Sequence, residues 1–271
     1  MQFPPPNTSV HILTIALAAN GTSSYRDASA ISRLSYMLWS ATCTIITDCV
    51  AKLTDTPVNT SIHQVHTKHD LIRRIQETVR NLHDSSCCLL FTLSSHGFST
   101  SLPSRRYLEM NGRSEYVQIG RERVMDYELF HALYGQMSLD VFSLCLIDTC
   151  HSGTMLDLEY MSSDGIQFVR SKTPLKPRPR SVCISACNDE EMAGEDISTF
   201  GGWGGKLTCV FLDYICTLKS KTCFSIPLFY AHARQRFISQ SKQASHPIIS
   251  CNEELVELYQ TRIRNNTAFE R

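Results

Sequence analysis

SLCLIDTCHSGTM, residues Ser143–Met155, runs an apolar stretch from Leu144 to Ile147 straight into Asp148-Thr149-Cys150-His151-Ser152-Gly153. A short, unbroken apolar run bounded by polar residues reads as a strand buried on both faces, the pattern of a parallel sheet rather than of a half-exposed one. Open sheets of that kind bind ligands beyond the carboxyl ends of their strands. A carboxylate, a thiol, an imidazole and a glycine just after such a strand therefore sit where chemistry is done.

Working outward, strand-like and helical patterns alternate. Val10–Ala18 is a continuous apolar strand. Asp27–Trp39 carries Ala30, Ile31, Leu34, Met37 and Leu38 at helical spacing. Cys43–Thr47 is a short strand, and His69–Leu82 is a helix with Leu71, Ile72, Ile75, Val79 and Leu82 on one face. Cys87–Leu93 is a buried strand, Met125–Met137 a helix, and Val141–Ile147 the strand of the opening quotation. This rhythm predicts an α/β protein with a mostly parallel central sheet covered on both faces, a three-layer α-β-α arrangement. Arg170–Arg180 (RSKTPLKPRPR) is rich in proline and basic residues and reads as an exposed linker. Beyond it come a strand at Val182–Ala186, a glycine turn leading into a helix over Gly201–Leu218, a helix over Phe224–Phe237 whose start Pro227 weakens, and a short strand at Pro247–Ser250.

Composition narrows the function classes. The 271 residues are 42% apolar, which suits an ordinary globular chain. Basic and acidic residues balance at 26 each, so no general electrostatic case arises for nucleic acid or a membrane surface as partner. The twelve cysteines are scattered, mostly within apolar runs such as those around Cys43, Cys145, Cys183, Cys209 and Cys216. No CxxC occurs, and Cys87-Cys88 is a vicinal pair, so the pattern favours reduced thiols in the cytoplasm or nucleus over a zinc site or a disulfide framework. The apolar stretch Ile12–Ala19 is too short to span a bilayer and lacks a basic start.

A thiol nucleophile needs a base. His96 follows another strand, precedes Gly97 and lies about fifty residues before Cys150. Backbone N–H groups of Gly97 and of the Cys150 turn are candidate donors to an oxyanion. These residues suggest acyl transfer, with Cys150 attacking a peptide carbonyl and His96 protonating the leaving amine. His151 is the nearer histidine, but adjacent side chains diverge. Taken singly, each residue is usually structural.

Asp148–Leu158 (DTCHSGTMLDL) resembles the nucleophile motif of metacaspases, in particular the type I form, and Ser94–Gly97 (SSHG) resembles the histidine motif of that family. Thr14–Ala30 with Asp27-Ala28, Ile184–Ala193 (ISACNDEEMA), Gly205–Phe211 (GKLTCVF) and His246–Asn252 (HPIISCN) are similar to further family segments, in the family's order. The resemblance implies a caspase-like fold, with a large catalytic part over 1–169, the linker over 170–180 and a small part over 181–271 on the same sheet. It implies a cysteine endopeptidase that cuts protein or peptide chains after Arg or Lys through a thioester. The basic side chain would enter an acidic pocket formed by Asp27, Asp148 and Ser94, with Ser24 where many members have cysteine.

The linker's basic residues are the types such an enzyme would cut, so self-cleavage there, at Arg170 or Lys172, stands level with the plainer reading of a solvated basic loop; the resemblance also implies action as a monomer. No cofactor is needed for the chemistry. Family members commonly bind calcium through four carboxylates. Only Asp126 and Asp157 match, while Ser114 and Tyr127 stand where acids are expected, so calcium binding is expected to be weak or lacking. Competing readings are a legumain-like relative and a caspase-like regulatory or binding protein with little or no catalysis. A nucleic-acid binder has only the basic run in its favour.

Overall fold

The protein is described from a computed structural model that covers residues 1–17, 23–101, 113–171, 180–200, 202–219, 222–240 and 245–257. At its centre lies Phe142–Asp148, all seven of whose residues are buried. Leu144 and Leu146 point into one core, and Cys145 and Ile147 into the other. This period-two division explains why the segment shows no polar face: both sides of the strand are covered.

The main sheet has nine strands. From one edge they run Val169–Arg170, Tyr160–Ser162, Ile248–Cys251, Arg180–Ser185, Phe142–Asp148, Cys87–Ser95, Ser9–Leu17, Thr42–Thr47 and Ser61–Gln64. Arg180–Ser185 through Ser61–Gln64 are parallel, and the three strands at the other end pair antiparallel. Helices Ser23–Trp39, Lys206–Cys216 and Ile226–Gln240 cover one face, and helices Lys68–Arg80 and Asp126–Tyr134 the other. The expected three-layer α-β-α architecture is thus the observed one.

Local signals set most of the helices. In Ser23–Trp39, Ala30, Ile31, Leu34 and Leu38 are buried at helical spacing. Met37 was expected on that face and is instead 60% exposed, because the stripe through Leu34 and Leu38 rotates it to the solvent side. Lys68–Arg80 begins at Thr67, whose hydroxyl accepts the Asp70 N–H, and buries Leu71, Ile75 and Val79. Pro227 lies in the first turn of Ile226–Gln240, where a missing N–H costs no intrahelical bond, so it opens the helix rather than weakening it.

Several short elements carry no such signal. A three-stranded sheet of Gly97–Thr100, Ser114–Ile119 and Glu122–Met125 follows the histidine segment, and a hairpin of Glu195–Ser198 with Gly202–Gly205 precedes helix Lys206–Cys216. Arg170 and Arg180, the ends of the expected linker, are strand residues; 172–179 lie outside the described residues.

Candidate active site

Strand register sets the site. Ser94 on Cys87–Ser95 lies directly beside Asp148 on Phe142–Asp148, so both strands end at the same sheet edge. His96 and Cys150 come just after those ends. Ser24, Ser94, His96, Asp148 and Cys150 all line one cleft of about 390 Å³. Met192, Ala193, Gly194, Glu195 and Gly205 from the C-terminal part of the chain form its other wall. Gly97 presses against the carbonyl of Cys150, so closely that any Cβ at 97 would collide with that oxygen and drive the two loops apart. Glycine is thus needed here for close approach, not for an unusual φ.

The cleft's chemistry is uneven. Cys150 is half-buried, and burial pushes its thiol up; the Ala193 N–H pulls part way back, and the charge of Asp148 adds to the rise. The sulfur accordingly needs a base to lose its proton. His96 is exposed at the rim, and among the described residues no direct hydrogen bond joins it to Cys150. His151 is turned elsewhere. With φ at 53°, it donates from Nδ1 to the Asp189 carbonyl at 2.7 Å.

Asp148 lines the floor, with Asp27 buried behind it. Asp27 lies in the second turn of its helix, too far in to cap it. It accepts the Ser94 hydroxyl at 2.6 Å and the Gly205 N–H at 3.2 Å, and it is only 2% exposed. Asp148 accepts the Thr208 N–H at 2.7 Å and so caps helix Lys206–Cys216 from a neighbouring strand, the helix's own N-cap, Gly205, having no side chain. A Cβ on Gly204 would strike the Asp27 carboxylate, and one on Gly205 that of Asp148. Burial, and then the charge of Asp148, hold Asp27 well above the usual carboxylate range. Burial pushes Asp148 up to about 6, against the Thr208 and Leu207 N–H groups that pull it down. Two buried carboxylates this close favour a shared proton until a cation replaces it.

A family model described as the caspase domain matches residues 23–259. The chain belongs to the caspase-domain family. A Geobacter sulfurreducens protein solved as a structural genomics target superposes with a TM-score of 0.57 at 16% identity, over 90% of this chain and 94% of that one. Caspase-1 from Spodoptera frugiperda superposes with a TM-score of 0.52 at 12% identity, over 91% of this chain and 87% of that one. At such identities the likeness speaks for the fold, which is the expected caspase-like one with a large mixed sheet. A search of curated proteins finds no match.

In this caspase-domain protein a clamp from the C-terminal part holds the Cys150 loop, and nothing in the linear pattern announces it. Asp189 accepts the Thr154 N–H at 2.8 Å and the Thr154 hydroxyl at 2.9 Å. The Cys187 thiol donates to the Thr149 carbonyl at 3.4 Å. Glu195 was also missed. It is exposed at the cleft wall, accepts the Trp203 indole N–H at 3.0 Å, and its charge helps to raise both Asp27 and Asp148. The only advance signal was its position in an acidic stretch after Ile184–Ala193.

The remaining candidates lie apart from the cleft lining. Asp126 and Asp157 are buried, at 1% and 2% exposed. Asp126 accepts the Tyr127 N–H at 2.7 Å and the Glu115 N–H at 3.2 Å. Among the described residues no group of three or more His, Cys, Asp or Glu is placed to hold a metal ion. Arg170 ion-pairs with Glu159 at 2.9 Å on the sheet edge, and the next residue, Ser171, is buried with its N–H on the Glu159 carbonyl. Lys172 lies outside the described residues. No helix among the described residues is long and apolar enough to cross a membrane.

Proposed function

We propose that this caspase-domain protein is a metacaspase-like cysteine endopeptidase that cuts peptide bonds after Arg or Lys. The observation that carries the reading is the meeting of His96, Cys150 and Asp148 in one cleft, with Gly97 packed on the Cys150 backbone. In the proposed reaction the His96 imidazole takes the Cys150 proton and the sulfur attacks the scissile carbonyl. N–H groups of Gly97 and the Cys150 turn receive the oxyanion. His96 returns the proton to the leaving amine, and water, deprotonated by the same imidazole, then hydrolyses the thioester. No step calls on a cofactor. Ser24 and Ser94 flank the entrance to the recess where Asp148 and, behind it, Asp27 would receive the guanidinium or ammonium group.

A cut after Arg170 would require its edge strand to peel from Glu159, which favours Lys172 as the self-processing position. The strands Tyr160–Ser162 and Val169–Arg170 cover the sheet edge beyond Ile248–Cys251, which supports action as a monomer; protein or peptide substrates and a cytoplasmic setting are part of the same proposal. A fluorogenic arginyl peptide should be hydrolysed by the wild type and not by Cys150→Ala, with calcium changing the rate little. Equal, negligible rates for the two proteins would overturn the reading. The raised thiol and its lack of a direct bond to His96 favour one rival, a caspase-like binding protein. An arginyl electrophile that fails to label Cys150 would support that rival.

A further inference from the structure

We infer that Glu195 gives the cleft a second cation subsite, so that the enzyme prefers chains with two basic residues close together. The inference rests on the peptidase reading above and extends it from the scissile residue to its neighbour.

Glu195 differs from the two floor acids in exposure and in its partner. Asp27 and Asp148 are buried and tethered to backbone N–H groups or Ser94, whereas Glu195 is exposed on the cleft wall. Among the described residues no lysine, arginine or histidine pairs with it. Its one partner is the Trp203 indole N–H, which engages Oε2 and leaves Oε1 open to a ligand. An exposed glutamate normally loses several rotamers when it binds, and here the indole has already removed part of that freedom. The hairpin sets the distance. Glu195 pairs in register with Gly205, the residue whose N–H holds Asp27 and whose Cα abuts Asp148. Directly opposed residues in an antiparallel pair stand about 5 Å apart. The second carboxylate is therefore within one or two residues' reach of the first recess along an extended peptide. Met192, 73% exposed and lining the same cleft, offers an apolar wall to the methylene stem of a lysine or arginine.

In this arrangement Trp203 is a positioning residue and Glu195 the one that touches the substrate. The second basic side chain sits at one of the two positions preceding the scissile arginine.

The test compares three fluorogenic peptides, Ala-Ala-Arg, Ala-Arg-Arg and Arg-Ala-Arg, on wild type, Glu195→Gln and Trp203→Phe. Wild type should favour one of the two-arginine peptides by roughly tenfold in kcat/KM, chiefly through KM, and less so at high salt. Glu195→Gln should bring that ratio close to one, and Trp203→Phe should fall between. An unchanged ratio in Glu195→Gln, or an equal loss on all three peptides, would overturn the inference. The same ratio is read without turnover by titrating the corresponding peptide amides into Cys150→Ala and Cys150→Ala/Glu195→Gln. If wild type cleaves nothing, the peptidase reading fails on the kinetics alone, while the calorimetric ratio still decides whether Glu195 binds a second cation.

Discussion

At the rim of the cleft His96 is exposed, Cys150 is half-buried, and no direct hydrogen bond is seen between them, whereas on the floor Asp27 and Asp148 are 2% and 5% exposed and each is held by a backbone N–H. The two regions lie a few residues apart on the same strand ends, yet they are built for different tasks. The floor is organised before any substrate arrives: Ser94, Gly205 and Thr208 hold the carboxylates, and the cost is that two acids are kept close together away from water. In the proposed reaction the rim's imidazole and sulfur would close around a carbonyl, since catalytic hydrogen bonds commonly tighten only when the substrate is bound. On the proposed reading the hydrogen-bonded order lies in the floor and the reacting groups at the rim.

Variants of each region should separate along that line. The largest effect is expected at the rim. His96→Ala should lower kcat/KM on an arginyl peptide by about a thousandfold while leaving the thermal midpoint within a degree or so of wild type. A matching loss of stability would show that the rim is structural and erase the distinction. Asp148→Ala should act on both readouts. It removes the acid beside the proposed nucleophile and, among the described residues, the one side-chain cap seen at helix Lys206–Cys216, costing about 1 kcal/mol in denaturant unfolding and about a hundredfold in activity. Asp148→Asn, which keeps an acceptor, should recover most of the stability and little of the activity.

A pH-dependent effect sharpens the picture of the floor. Asp27 and Asp148 both titrate above the ordinary carboxylate value, so the folded chain retains a proton that the unfolded chain has released. Their stabilising contribution is complete at low pH and is lost as pH rises, through about 6 for Asp148. Asp27→Asn takes one of these acids out of the titration. It should gain stability relative to wild type as pH rises from about 5 to 8, by no more than about 1.4 kcal/mol per pH unit, while its cleavage after arginine falls. A pH-independent difference between the two proteins would mean that the acids do not share a buried proton.

How much of this could be read in advance differs by element. The buried strands around Ile12, Leu90 and Leu146 and the helices bearing Leu34 and Ile75 were legible, since each must hide an apolar face and the spacing records it. Cys150 and His96 were legible because the strands before them were, and strand ends of a parallel sheet converge. Ser61–Gln64, Glu195–Ser198 and Gly202–Gly205 were not, being short, polar or glycine-rich segments whose pairing partners supply all the order. The partners of Asp27 and Asp148 were not legible either. Asp27 caps nothing in its own helix, and Asp148 caps a helix sixty residues away in the chain.

The linear chain thus determined most of the apolar faces that are buried, and with them the layered sheet and the two segments that end in a thiol and an imidazole, because hydrophobic periodicity is a local property. Only the folded molecule decided that Gly97 abuts Cys150, that Asp189 holds the Thr154 turn and that Glu195 faces the cleft. Such contacts join polar residues far apart in sequence, and a polar side chain leaves no periodic trace of the partner that will satisfy it.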